Sequence, residues 1–182
     1  MDKIAKAEGK PTVSVGNTLA ELQLQDEGQH KYLTFHVSDG IYGVGIDDVK
    51  EIIEYSTITR VPLTAAFIRG VINLRGNVVA VVDLAVRIDK QRQEPSKRTC
   101  IIVVELDADG EKSEVGFVVD SVNAVLDIPD EQIEPAPAFG ADIRSDFISG
   151  MGKVKNDFVV LLSLDKVLSV DELSQLAKNL SS

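Results

Sequence analysis

The chain has no tryptophan, a single cysteine and two histidines among its 182 residues. With Cys100 alone, no intrachain disulfide and no cysteine-based zinc site can be built from this chain, and a thiol-reducing, cytosolic compartment is expected. Basic residues are also short: 19 against 29 acidic, a formal charge of −10. Sequence-independent phosphate binding, which needs clustered Lys and Arg, is thereby disfavoured. Long apolar runs are missing too. Val78–Val82 and Phe158–Leu162 are five residues each, far short of the ~20 that span a bilayer as a helix. Met1–Lys10 has no apolar stretch of signal-peptide type, so a soluble cytosolic protein is expected.

What is abundant is β-branched: 24 Val and 15 Ile. These side chains lose rotamer freedom in helices and pack well on a pleated surface. Residues 1–30 read as a polar arm with one weakly amphipathic piece around Leu19, Leu22 and Leu24. Tyr32–Val37 and Ile41–Ile46 read as strands about a turn at Ser38-Asp39-Gly40. Asp47 is placed to cap a short helix with Val49, Ile52 and Ile53 on one face. Phe67–Leu74 and Val78–Leu84 form a hairpin about Arg75-Gly76-Asn77, where Gly and Asn tolerate positive φ. Arg87–Arg98 is a polar linker with five basic and two acidic residues. Thr99–Leu106 as a strand, a long β-rich segment over Ser113–Leu126, and a strand–turn–strand over Phe147–Leu164 follow. Ser169–Glu172 is a capping box opening a C-terminal helix, 169–182.

The chain also repeats itself. Gly43–Ile53 aligns with Gly116–Leu126, identical at three of eleven positions and apolar in both copies at four more. Phe67–Gly70 matches Phe147–Gly150, Val78–Leu84 matches Phe158–Leu164, and Arg75 recurs as Lys155. The expected architecture is therefore mainly all-β: two pseudo-symmetric five-stranded barrels, about 31–90 and 97–168, joined near Pro95 and packed together. Exchange of a strand between them stays open.

Chemistry is hard to find. His30 and His36 have no partner at metal-ligand spacing. No Gly-x-Ser-x-Gly elbow and no phosphate-binding loop occurs. Asp107-x-Asp109-Gly110 lacks the further acidic ligands of a calcium loop and reads as a hairpin turn. Among the carboxylates, Asp47 is explained by capping and Asp83 by solvation at a strand end. A binding module is favoured over an enzyme, with no cofactor or metal expected.

The run Phe67-Ile-Arg-Gly-Val-Ile-Asn-Leu-Arg-Gly-Asn-Val-Val-Ala-Val-Val-Asp-Leu84 resembles the signature of CheW-type chemotaxis coupling proteins. Tyr32–Phe35, Tyr42–Ile53, Ile58–Pro62, Val115–Val122 and Pro135–Phe139 agree with it in order, so the resemblance spans about Lys31 to Leu168. Ala65 or Ala66, and Ala80, stand where the family commonly has proline.

The resemblance implies two barrels like those of Src-homology-3 domains, in a non-catalytic adaptor between methyl-accepting chemoreceptors and the histidine kinase CheA. A related motility or surface-sensing system is the alternative. By similarity, Val49, Glu51, Arg75, Thr99, Cys100 and Ile101 would line a groove for the receptor's helical tip. Tyr42, Ile58, Thr59, Val61 and Arg69, with Phe139 on the second barrel, would meet the kinase's CheW-like regulatory domain. The protein would be cytoplasmic and recruited to membrane-associated receptor arrays.

Overall fold

The computed structural model describes residues 30–62, 64–108, 110–136, 145–169 and 172. The N-terminal arm, Phe139 and most of the C-terminal helix expected above lie outside these residues. The described residues form eleven strands: β1 (Lys31–Val37), β2 (Gly40–Gly45), β3 (Val49–Glu54), β4 (Ile68–Leu74), β5 (Asn77–Asp83), β6 (Cys100–Ala108), β7 (Glu111–Val119), β8 (Ser121–Asp127), β9 (Ile133–Glu134), β10 (Ile148–Val154) and β11 (Asp157–Leu162). Two one-turn helices, α1 (Leu84–Arg87) and α2 (Leu164–Val167), follow β5 and β11.

The strands form two sheets, ordered β3-β6-β7-β5-β4 and β8-β1-β2-β11-β10-β9. The repeat explains that order. Shifting by the alignment turns β3, β5 and β4 into β8, β11 and β10, while β6 and β7 stand where β1 and β2 stand in the other sheet. Each sheet thus takes its first hairpin from one repeat and its remaining strands from the other. The sheets do not divide the chain at the linker, and the exchange involves a whole hairpin. At the corner after β2, the tight 3-10 turn Ile46–Asp48 sends the chain out of its own sheet and into the next.

Burial on both faces explains the apolar runs. In β5, Val79 and Val81 enter a core within the first sheet, while Ala80 and Val82 enter a larger one between the sheets. Ile101 and Val103 of β6 make the same choice, against Ile102 and Val104. The second sheet encloses its own small core around Ile128, Val159 and Leu161.

Residues 49–53 are not helical. They form β3, paired with β6, and the turn before them is capped at Gly45 with no side-chain bond from Asp47. A bulge between Val49 and Glu51 shifts the phase by one, so Val49 and Ile52 both face the central core. Inward residues three apart imitate a helical stripe. Intrinsic preferences worth a few tenths of a kcal/mol per residue lose to burial worth ~1.5–3 kcal/mol for each such side chain.

The Ser113–Leu126 segment breaks at Asp120, whose Oδ2 accepts a hydrogen bond from the Ser38 amide at 2.7 Å. The Asp107–Gly110 turn closes the β6–β7 hairpin, with Asp107 Oδ1 accepting from the Gly110 amide at 3.0 Å. The capping box at Ser169 forms in both directions: Ser169 N to Glu172 Oε1 at 2.8 Å, and Glu172 N to Ser169 Oγ at 3.1 Å.

Candidate partner-binding site

The β4–β5 hairpin has a two-residue loop, Arg75-Gly76, with Leu74 opposite Asn77. Both loop residues have positive φ, 54° and 88°, the twist that a two-residue hairpin demands. The left-handed pair is thus Arg75 and Gly76, while Asn77 begins β5. Asn73 Oδ1 accepts from the Gly76 amide at 3.0 Å and holds the loop. From this tip the Arg75 guanidinium reaches Glu51 on β3, with Nη1 donating to Oε1 at 2.6 Å. Because β3 and β4 are opposite edges of the first sheet, this ion pair links the two edges. The Arg75 side chain is 65% exposed and that of Glu51 14%, so the arginine end of the pair remains open to competition by a partner's charges.

Beside it, Lys50 donates to Glu114 at 2.9 Å and lies 3.8 Å from Glu105. The hydrogen bond to Glu114, then the charges of Glu114 and Glu105, raise the Lys50 pKa. The ammonium therefore stays charged.

Of the residues assigned by similarity to the receptor groove, Glu51 and Arg75 come together at the surface. Val49, Thr99 and Ile101 are interior. The Thr99 hydroxyl accepts from the Ser96 amide at 2.8 Å and anchors the linker's end. Cys100 is half-buried; burial first, then the charge of Glu54, pushes its thiol pKa up. Interior side chains can shape such a groove but do not present themselves to a partner.

The kinase group divides similarly. Tyr42 is in the central core, stacked on Phe35 with ring centroids 6.3 Å apart. Ile58 rests half-buried on the first sheet's core. Thr59 is exposed, and its backbone pairs with Val71 through bonds of 2.9 and 2.8 Å. Val61 is half-exposed, its carbonyl accepting from the Thr64 hydroxyl at 2.9 Å. Arg69 is mostly buried. Its Nε donates to Asp83 at 2.8 Å, its Nη1 donates to the Tyr55 hydroxyl at 2.6 Å, and its guanidinium lies 5.6 Å from that ring's centre.

Asp83 is not a solvated strand end. It is 2% exposed, caps α1 through the Val86 amide at 3.3 Å, and accepts from both Arg69 and Arg92. Sequence reasoning missed its partners because they are side chains met only after folding. The one available signal was a carboxylate at the end of an apolar run, which calls for compensation once buried. Gly70 is the other missed position: at φ 146°, a Cβ there would lie 2.1 Å from the Thr59 carbonyl oxygen. Only glycine lets the 58–60 segment cross β4 so closely.

No group of three or more His, Cys, Asp or Glu among the described residues could hold a metal ion. No helix among them is long and apolar enough to cross a membrane. Two interleaved β-barrels, with a charged edge clasp and a sewn-down crossover segment, define a class of interaction domain. Residues 31–172 match the family model described as CheW-like domain. The chain belongs to the CheW-like family. It is 35% identical over 157 residues to Chemotaxis protein CheW of Klebsiella aerogenes, covering 86% of this chain and 92% of that one. It is 30% identical over 143 residues to Chemotaxis protein CheW of Thermotoga maritima, covering 77% and 88%. Among solved structures, the scaffolding protein TtCheW from Thermoanaerobacter tengcongensis matches with a TM-score of 0.70 at 33% identity, covering 79% of this chain and 95% of that one.

Proposed function

We propose that this chain is a non-catalytic adaptor coupling methyl-accepting chemoreceptors to the histidine kinase CheA in a cytoplasmic array at the membrane. The family match over residues 31–172 carries this reading, and the exposed Arg75–Glu51 pair at the joined sheet edges supports it. A receptor tip is helical, and a groove with charges at its rim takes the apolar face of a helix and sets its orientation. Glu51 and Arg75 supply opposite charges at that rim. On the kinase side, Ile58, Thr59 and Val61 lie on one short segment that Thr59 pins to β4 through its backbone bonds to Val71. Phe139 would add an aromatic anchor on the second barrel.

Co-sedimentation with receptor-containing membranes, with and without CheA, tests the reading. Binding to receptor membranes alone, and enhanced kinase recruitment when the adaptor is present, are expected. Failure to bind either partner removes it. Phe139→Ala should weaken kinase recruitment by about 2 kcal/mol or more, as loss of an aromatic anchor does, while receptor binding persists.

A further inference from the structure

Three segments meet on one carboxylate. Asp83 Oδ2 accepts from Arg69 Nε at 2.8 Å and from Arg92 Nε at 2.5 Å, and the Asp83 side chain is 3% exposed. Arg69 carries the hydroxyl of Tyr55, the start of the crossover that holds Ile58, Thr59 and Val61. Arg92 belongs to the polar linker, whose far end is fixed through Ser96 and Thr99. The same two segments touch a second time, where the Tyr55 amide donates to the Thr99 carbonyl at 3.1 Å. The repeat shows that barrel architecture does not require this arrangement. Its equivalents of Arg69 and Asp83 are Ser149 and Ser163, and Ser149 donates to the Leu161 carbonyl instead.

Two guanidinium nitrogens on one oxygen lie about 5 Å apart or closer and repel each other in a site of low dielectric. One carboxylate bonds both guanidinium groups directly, with the charge of Asp120 also felt at Asp83. We infer that Asp83 is a positioning residue for which the linker and the crossover segment compete, so that displacing Arg92 tightens Arg69 on Asp83 and orders residues 55–62. This rests on the adaptor reading for its biological meaning. A receptor that draws the Arg92 part of the linker away while the Tyr55–Thr99 bond stays in place would leave the kinase-facing segment better ordered. Pre-ordering raises affinity, and the coupling is reciprocal for binding.

Amide hydrogen exchange on the full-length protein reads the competition without any partner. Arg92→Gln changes a side chain that is 43% exposed and should leave the melting temperature nearly unchanged. It should speed exchange at Arg98 and Thr99 by about tenfold and slow it at Thr59 by about threefold. Asp83→Asn removes the shared charge and should speed exchange in both segments. A merely structural role for Arg92 would speed both segments in Arg92→Gln, so an unchanged or faster Thr59 amide overturns the inference. With partners, Arg92→Gln should bind the kinase's regulatory domain about threefold more tightly, and receptor should no longer raise that affinity. If wild type binds neither partner, the adaptor reading fails, while the Thr59 amide still decides whether the competition exists.

Discussion

Phe67 and Phe147 occupy the same position of the two repeats and share one cation. The Arg87 guanidinium carbon lies 4.5 Å from the centre of the first ring and 5.2 Å from the second. Arg87 also donates to the Val167 carbonyl at 2.6 Å and to Glu172 at 2.9 Å. One side chain therefore ties both repeats to the start of the C-terminal segment. A flat guanidinium can stack on rings while its edge donates hydrogen bonds; an ammonium cannot do both.

Arg87→Ala should accordingly lower unfolding free energy by about 2 kcal/mol, from desolvated cation–π contacts and lost hydrogen bonds. Arg87→Lys should recover less than half of that. Urea midpoints at constant slope measure both. Equal recovery by lysine would mean that charge alone matters.

Two glycine substitutions should differ for separate reasons. Gly70→Ala drives a methyl into the Thr59 carbonyl and should cost more than about 3 kcal/mol, since backbone must move. Gly76→Ala meets no atom within 4 Å and suffers only from φ +88°, a cost of about 1–2 kcal/mol. Thermal melts of the two proteins give the ranking.

Arg75→Glu should abolish receptor-dependent kinase activation while the protein still folds, with a lowered melting temperature because the reversal sets a second carboxylate against Glu51, whose side chain is 14% exposed. Lys155→Glu is the internal control. Lys155 has the equivalent turn conformation, φ 56°, but the repeat places Ala124 where Glu51 stands. It should leave activation near wild type. Equal behaviour of the two reversals would contradict the assignment of Arg75.

Asp48 gives a pH test. Partial burial first, then the charges of Asp47 and Asp165, hold its carboxyl above the ordinary value of 3.8. A carboxyl whose folded pKa is raised favours its neutral form in the fold, so its ionised form subtracts from stability above that pKa. Asp48→Asn should therefore raise the melting temperature at pH 7. The advantage should fade as pH falls through the raised folded pKa and be gone below the ordinary value of 3.8, where wild-type Asp48 is protonated in both states. A difference independent of pH would show that the substitution acts through something other than charge.

The family, the β class and the place of the β4–β5 turn were legible in the sequence because their causes are local. Strings of Val and Ile have nowhere to go but a sheet buried on both faces, and Arg75-Gly76 between apolar runs is a turn by chemistry. The internal repeat was visible for the same reason, since each copy must carry the same strand and turn residues. Tertiary structure alone decided which hairpin joined which sheet. Strand pairing depends on the direction a three-residue corner sends the chain, and nothing in Ile46–Asp48 names the partner. It also turned an apparent helix over Val49–Ile53 into a bulged strand, because the ladder with β6 outweighs weak propensities. Most of all it decided the charges. Asp83, read as a solvated strand end, became a buried acceptor only when Arg69 and Arg92 converged from segments 14 and 9 residues away, since the worth of a charge is set by its surroundings and not by its place in the chain.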